Sequence, residues 1–281
     1  MWRPEFVKLL YTYLDIRPKM HVADIGSGTG FLARIVAPGI GRMGDIICID
    51  HDTRLLARGV KATRKERFSK NLHMVQANAY NCPLPTSWAD LVMCQFLLSN
   101  VKHPLSIIRE MARVTKRRGL VAAVEPVGIQ ILFDPSHVRL TELQRKSWNA
   151  YVRGYRKLLG GDITIGLRLP HLFMEAGLSK VELDGYLETL LFSDPRYQGR
   201  DLATFLRTRF FERPSKRTKT KIASMIKDLT YSCGGMSPNE ALRIQGKLAD
   251  RLKPLVENTR SLKRSSFVFS VARVIVRGRK Q

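Results

Sequence analysis

Three glycines at alternate positions follow an acidic residue near the start of the chain, in the stretch VADIGSGTGFLA (22–33). Glycine lets the backbone turn tightly and bring its peptide groups against a ligand. The spacing G-x-G-x-G differs from the G-x-G-x-x-G turn of dinucleotide-binding proteins. Asp50 ends a second apolar run further along, where a carboxylate can accept hydrogen bonds from both ribose hydroxyls. With Asp24, these residues predict a nucleoside ligand; a tight turn with a buried glycine is the alternative.

Apolar runs and amphipathic stretches alternate through the first half of the chain and must position these residues. Short apolar runs bounded by turn residues predict strands, and apolar side chains at helical spacing predict the helices between them. Five strands separated by helices favour a parallel sheet covered on both faces. The predicted strands are 21–26, 45–50, one within 71–79, one within 89–98, and 120–126; the predicted helices are an N-terminal helix, 31–37 stopped by Pro38, 52–68, and 103–119 closed by Gly119.

The pattern changes after Pro126. Apolar side chains at helical spacing predict a helix over 136–159, followed by a short helix within 167–178 and a strand over 180–192. Residues 199–262 read as three very basic helices, and the alternating C-terminal segment is typical of a strand. We therefore predict one domain of residues 1–195 with 265–281, in which 136–160 forms a helical roof, and a basic helical insertion or cap over 196–264.

Bulk composition narrows the class of protein. The chain has 281 residues with 44% hydrophobic residues, enough for a proper core, and no apolar run long enough for a membrane helix. Its four cysteines are scattered without metal-ligand spacing, which predicts a cytoplasmic protein without a metal site. The net charge of +24 suits an anionic partner such as RNA or a membrane surface, and equally a solvated cationic face.

Five motifs in order resemble the class I S-adenosylmethionine-dependent methyltransferases, within them the group that includes the ubiquinone/menaquinone-biosynthesis methyltransferases. They are VADIGSGTG, ICIDHD, QANAYNCPLP, WADLVMCQFLLSNVKHP and IIREMARVTKRRGLVAAVEP. The resemblance covers residues 5–126 well, and 165–195 with the final strand more loosely. It implies a Rossmann-like α/β fold with a seven-stranded, mostly parallel sheet whose last strand is antiparallel.

The resemblance also implies a set of contacts to S-adenosylmethionine. Asp24 would support the glycine turn, and the turn would lie against the methionine part. The implied cofactor-binding residues are Gly26, Ser27 and Gly28 at the turn, Asp50 on the ribose, His51 along the adenine, Asn78 and Ala79 at the adenine edge, and Gln95 near the methyl group. Asn78 departs from the family's usual Asp, and Lys116–Gly119 replaces its usual Pro-Gly-Gly turn.

Methyl transfer from a sulfonium is an in-line displacement in which the leaving sulfur becomes neutral, so positioning matters most and no catalytic triad is required. Glu125, at the end of the fifth strand, is the best candidate for an acceptor contact or base. Other acceptor-side candidates are Tyr11, Tyr13, Tyr151, Tyr155, His137 and His171, each with an ordinary packing or surface role as the alternative. Cys94 is expected to be buried packing rather than a nucleophile.

A small-molecule methyltransferase is the favoured function. The segment QFLLSN stands where base-amine methyltransferases carry an Asn/Asp-Pro-Pro-aromatic turn, and the dispersed cysteines argue against arsenic methylation. One alternative is an RNA methyltransferase that uses the basic insertion. A second is a non-catalytic S-adenosylmethionine-binding scaffold, against which the intact Asp24, glycines and Asp50 argue.

Overall fold

The computed structural model describes residues 4–64, 66–133, 138–191, 234–237, 239–240, 243–244, 247, 250 and 268–281. Seven strands form one sheet within these residues. Their bounds are β1 His21–Ile25, β2 Asp45–Asp50, β3 Leu72–Gln76, β4 Ala89–Gln95, β5 Thr115–Phe133, β6 Leu178–Leu191 and β7 Val268–Lys280. The α-helices are α1 Pro4–Tyr13, α2 Phe31–Ile40, α3 Thr53–Thr63, α4 Pro104–Val114, α5 Val138–Leu159 and α6 Leu169–Glu175.

The strand order is β3-β2-β1-β4-β5-β7-β6, and the last strand is antiparallel. Strands β1 to β5 pair in parallel, with Ala23 opposite Ile47 of β2 and Val92 of β4. The predicted Rossmann-like α/β fold is therefore confirmed. This order brings the carboxyl ends of β1, β2 and β4 together at one edge, where ligands of open α/β sheets bind.

Helices cover the central strands because their apolar faces are buried there. In α2, Leu32, Val36 and Ile40 are buried, and in α4, Ile107, Met111 and Val114 are buried. The α2 side chains pack with the strands into a core that also includes Phe6 and Leu10 of α1 and the adjacent Leu14. The α4 helix contacts β4. The N-terminal helix expected from the sequence thus belongs to the sheet's own core.

Three predicted helix ends differ from the structure. The helix over 31–37 continues through Pro38 to Ile40, because a proline in the last turn forfeits only one hydrogen bond. The helix over 52–68 ends at Thr63. The helix over 103–119 ends at Val114, since Thr115 already pairs with Ala89 and opens β5.

The chain divides into two compact units. The first comprises residues 1–127, 164–186 and 273–281, and the second comprises 128–163 and 187–272. Helix α5 corresponds to the predicted helix over 136–159, and this division groups it with the second unit, whereas the sequence attached 136–160 to the main domain. Most of the predicted basic insertion over 196–264 lies outside the described residues, so its helices stay a prediction. Among the described helices, none combines the length and apolar character that crossing a bilayer requires.

Candidate functional site

The glycine turn after β1 leaves an open space at its middle glycine. Gly26, Gly28 and Gly30 all have positive φ, at 67°, 57° and 67°. A Cβ atom on Gly26 would lie 2.7 Å from Leu97, and one on Gly30 would lie 2.8 Å from Met74. A Cβ atom on Gly28 would meet nothing closer than 4.0 Å. The outer two glycines are therefore required by packing inside the protein, whereas Gly28 faces space that a ligand can fill.

Asp24 is the next-to-last residue of β1, just before this turn, and it is almost completely buried. One carboxylate oxygen accepts a hydrogen bond from the Ala33 N–H of α2 at 3.2 Å. The other oxygen is buried without a hydrogen-bond partner among the described residues, as is the Ser27 hydroxyl. Burial raises the pKa of Asp24 to about 7, against the effect of the Ala33 N–H, and the charge of Asp50 adds to the rise.

Asp50 links the glycine turn to the end of β2. One carboxylate oxygen accepts from the Gly28 N–H at 2.8 Å, and the other accepts from the Asp52 N–H at 2.9 Å. The His51 Nδ1 atom lies 3.4 Å from the second oxygen, while the His51 side chain is 90% exposed. A carboxylate oxygen can accept two hydrogen bonds, so both oxygens retain capacity for ribose hydroxyls.

The other cofactor-binding residues expected from the resemblance lie after neighbouring strands. Gln95 ends β4 and is half-buried. Asn78 follows β3 and is exposed; its side-chain oxygen accepts from the Tyr80 N–H at 3.0 Å, and its backbone pairs with Asn81. Ala79 is half-buried beside it. The sheet order therefore brings these positions to the edge that carries Asp24 and Asp50.

Glu125 has a different environment from the one expected. Its side chain is fully buried, and its two oxygens accept from the backbone N–H groups of Leu98 at 2.7 Å and Ser99 at 3.2 Å. Burial raises its pKa to about 7, although hydrogen bonds from the 97–99 segment oppose the rise. This arrangement does not support Glu125 as an acceptor contact or base, because its carboxylate is held by the turn after β4.

Tyr11, an acceptor-side candidate in α1, lies at the amino edge of the sheet, opposite the edge that carries Asp24 and Asp50. The Tyr11 hydroxyl donates to the Ile35 carbonyl at 2.8 Å and accepts from the Gly39 N–H at 3.2 Å. Helix α2 runs back from the carboxyl end of β1, so Gly39 lies near the amino edge. This placement does not support Tyr11 as an acceptor contact, and the role expected from the sequence stays a prediction. Tyr13 has the Arg277 guanidinium 4.5 Å from its ring centroid and is packed in the same region.

The remaining acceptor-side candidates divide between the two units. In α5, Tyr151 stacks on Trp148 at 5.3 Å between ring centroids and lies 5.9 Å from Tyr155. Tyr155 is buried, as expected of an apolar stripe. His171 is exposed in α6. His137 lies outside the described residues, so its role stays a prediction.

Sequence reasoning missed an ion pair that holds the loop after the adenine-edge residues. Arg113 of α4 donates to both carboxylate oxygens of Glu110, at 2.7 and 2.8 Å. The same guanidinium donates to the carbonyls of Cys82 and Leu84, and Glu110 accepts from the Cys82 N–H at 2.7 Å. The i, i+3 spacing of an acid and an arginine in α4 was the available signal.

The donor set suits a nucleoside that carries a cationic amino acid. Asp24 and Ser27 present buried polar atoms without partners, Gly28 faces open space, and Asp50 offers acceptor capacity. No grouping of three or more His, Cys, Asp or Glu side chains suited to a metal ion occurs in the part of the chain that the structure describes. The site therefore fits S-adenosylmethionine through the residues expected from the sequence.

The sheet order with its antiparallel last strand and the glycine turn after β1 define the class I methyltransferase fold. Residues 23–123 match a family described as "Methyltransferase domain".

The chain is also similar to curated relatives and, in its fold, to solved structures. The UbiE ubiquinone/menaquinone biosynthesis C-methyltransferase of Vibrio vulnificus strain YJ016 is 34% identical over 119 residues, covering 42% of this chain and 45% of that protein. The matched part therefore spans less than half the length of such relatives. Haemonchus contortus phosphoethanolamine N-methyltransferase 2, solved with S-adenosyl-L-methionine, has a TM-score of 0.53 at 13% identity, covering 99% of this chain and 53% of that chain.

A further solved structure shows that this fold is not confined to methyl transfer. The [4+2]-cyclase SpnF has a TM-score of 0.56 at 17% identity, covering 98% of this chain and 80% of that one. At these identities the structural likeness establishes the fold alone. The reaction must therefore be argued from the site.

Proposed function

We propose that this protein is an S-adenosylmethionine-dependent methyltransferase that acts on a small-molecule acceptor. The observation that carries the proposal is the open space at Gly28, bordered by the unpartnered buried oxygens of Asp24 and Ser27 and by the Asp50 carboxylate. A glycine turn that served only internal packing would not combine an open space at Gly28 with buried polar oxygens beside it. The name of the Vibrio relative, a C-methyltransferase, favours an activated carbon as the atom methylated.

The roles of the residues follow from their chemistry. S-Adenosylmethionine supplies a methyl group on a sulfonium, which leaves as a neutral thioether without needing an acid. Asp24 offers a buried carboxyl oxygen beside the turn that has no hydrogen-bond partner among the described residues, and Asp50 offers acceptor capacity for the ribose hydroxyls. The backbone around Gly28 allows close approach. The chain's task is to hold two molecules in reacting geometry rather than to provide a reactive side chain.

A covalent route through Cys94 is not available in this arrangement. The side chain is fully buried in β4, and burial together with the charges of Glu125 and Asp24 raises the pKa of its thiol well above the ordinary value. A nucleophilic cysteine needs the opposite environment, one that stabilises the thiolate. The transfer we propose is therefore direct.

Gly28→Ala separates cofactor contact from backbone strain, with Gly41→Ala as its matched control. Both glycines have positive φ, at 57° and 72°, and a Cβ atom on Gly41 would meet nothing within 4 Å. We expect each substitution to cost about 1–3 kcal/mol of stability, because alanine would have to adopt a positive φ that L-residues disfavour. Only Gly28→Ala should lose S-adenosylmethionine affinity in calorimetry, by about tenfold or more, because its methyl group takes up ligand space. Equal S-adenosylmethionine affinities in the two variants would mean that the glycine turn does not contact the cofactor.

The reaction itself is tested by transfer of a labelled methyl group. The full chain is incubated with labelled S-adenosylmethionine and either a metabolite extract or total RNA, with Gly28→Ala as the inactive control. We expect label to enter a small molecule. Label in RNA would replace the proposed acceptor class, and cofactor binding without any transfer would favour the non-catalytic scaffold.

A further inference from the structure

A basic cleft lies at the amino edge of the sheet, away from the glycine turn. It encloses about 210 Å³ and is lined by the cationic side chains of Arg17, Lys116–Arg118 and Arg279, with Asp15 and Asp90 as its only carboxylates among the described residues. The residues come from the loop before β1 and from the first residues of β4 and β5, together with the end of β7. The cleft therefore carries three more positive than negative charges.

Ion pairs hold part of this cleft in a fixed arrangement. Asp15 lies 3.3 Å from the Arg17 guanidinium and 3.7 Å from that of Arg279. Arg279 also donates to the Arg118 carbonyl at 3.1 Å, and Arg118 has a positive φ of 63°. One carboxylate thus orients two arginines, and one of these fixes the backbone that carries a third.

Asp90, the second carboxylate of the cleft, pairs with Lys116 and does not neutralise Arg117 or Arg118. Asp90 accepts from the Lys116 ammonium at 2.8 Å and from the His21 N–H at 2.8 Å. Arg117 and Arg118 are exposed and have no carboxylate partner among the described residues. Because Asp15 and Asp90 are already paired with other cations of the cleft, Arg117 and Arg118 are two adjacent positive charges without a local counter-charge among the described residues.

The positive charges of Arg117 and Arg118 are not explained by a favourable interaction with the C-terminal end of the α4 helix dipole. Cations are favoured near the C-terminal end of a helix, and α4 ends at Val114 beside the cleft. Lys280 already donates to the carbonyls of Arg113 and Thr115, at 3.2 and 2.7 Å. Arg117 and Arg118 are therefore in excess of what the helix end requires.

We propose that this cleft binds a small anion with two or more phosphate groups. Guanidinium groups bind phosphate oxygens through paired, charge-assisted hydrogen bonds, and several arginines around one concave site favour an anion with several such oxygens. The cleft lies at the edge opposite Asp24 and Asp50, so its ligand binds independently of the methyl donor. The proposal does not depend on the proposed function.

Inorganic tripolyphosphate is the probe, and isothermal titration of the full chain is the measurement. The test variant is Arg117→Gln with Arg118→Gln. The matched control is Arg58→Gln with Lys61→Gln, which removes the same charge from exposed positions of α3. We expect the parent and the control to bind alike, and the test variant to bind about tenfold more weakly or worse. Affinity of the parent should fall between about 50 and 200 mM salt. An unchanged midpoint of urea unfolding verifies that the test variant is folded.

Three results would overturn the proposal. The first is no tripolyphosphate binding by the parent at about 50 mM salt, where screening is weak. The second is an equal loss of binding in the two double variants, which would indicate net charge rather than a site. The third is that the Arg117 and Arg118 substitutions weaken binding of RNA, or of vesicles of phosphatidylcholine with phosphatidic acid, and leave tripolyphosphate binding unchanged, which would indicate a macromolecular or lipid surface instead.

Discussion

Asp50 has two structural partners, and this affects how its substitution must be interpreted. Its oxygens accept from the N–H groups of Gly28 and Asp52, so Asp50→Ala removes the support of the turn as well as any ribose contact. A simple loss of affinity therefore does not identify the ribose as its ligand. The contact has to be isolated by changing the ligand as well as the protein.

We expect Asp50→Ala to weaken binding of S-adenosylhomocysteine by about tenfold or more, since each charge-assisted hydrogen bond contributes roughly 1.5–3 kcal/mol. Calorimetry with 2′-deoxy-S-adenosylhomocysteine completes a double-mutant cycle. If Asp50 contacts the ribose, the substitution should cost less affinity with this analogue than with the parent ligand. An identical loss with both ligands would assign Asp50 to the turn alone.

Residue types and spacing locate the ends of β1 and β2, at which Asp24, Gly28 and Asp50 lie, and their roles in cofactor binding stay a prediction. The same signals do not reveal the backbone environment of the acceptor-side candidates. The environment of Glu125 depends on backbone N–H groups of the 97–99 turn. Because nearly every residue type carries such a group, the sequence does not predict these hydrogen bonds. Tyr11 likewise bonds to backbone atoms of α2. Its position depends on how two helices pack, which periodicity does not specify.

Helix α4 contributes to the site indirectly, through the loop that follows Asn78 and Ala79. Arg113 donates to the carbonyls of Cys82 and Leu84, and to the Thr86 hydroxyl at 3.2 Å. Together with Glu110 it fixes the path of this loop between β3 and β4. If Asn78 and Ala79 contact adenine, the ion pair acts as a positioning device for cofactor binding.

Arg113→Gln should destabilise the protein by about 1–3 kcal/mol, because a partly buried acid and backbone carbonyls lose their donor. Arg109→Gln is the matched control on the same helix: its guanidinium lies 3.8 Å from Glu175 and is 57% exposed, so its loss should cost less than about 1 kcal/mol. Urea unfolding measures both. Hydrogen exchange should show faster opening of residues 79–86 in Arg113→Gln only. Equal effects of the two substitutions would contradict this role.

At the scale of elements, the sequence pattern predicts the parallel strands more accurately than the ends of the helices. All five predicted parallel strands are present, because each combines an apolar run with a turn signal. The sequence predicts a helix that continues from Val114 to Gly119, because the basic residues in this segment give no periodicity that distinguishes helix from strand. Its strand conformation depends on the pairing of Thr115 with Ala89 and on the Lys116–Asp90 ion pair, which are contacts between distant parts of the sequence.

For the whole molecule, two buried carboxylates link stability to pH. Burial raises the pKa of Asp24 and of Glu125 to about 7 each, from ordinary values of 3.8 and 4.5. Between these limits the folded protein therefore binds more protons than the unfolded chain. Stability consequently falls as pH rises through this window and levels off above it. The net charge of +24 destabilises the folded state through repulsion between surface charges, which salt screens.

We expect the free energy of unfolding, measured in urea without cofactor, to decrease between about pH 5 and pH 8. Salt at about 200 mM screens the surface charges and leaves the buried groups largely unaffected, so the decrease should be clearer there. Asp24→Asn retains an oxygen for the Ala33 N–H but cannot ionise, and it should reduce the slope by roughly half because Glu125 still titrates. Stability that rises across this range, or a slope that Asp24→Asn leaves unchanged, would show that burial does not hold these carboxyl groups protonated in the folded state.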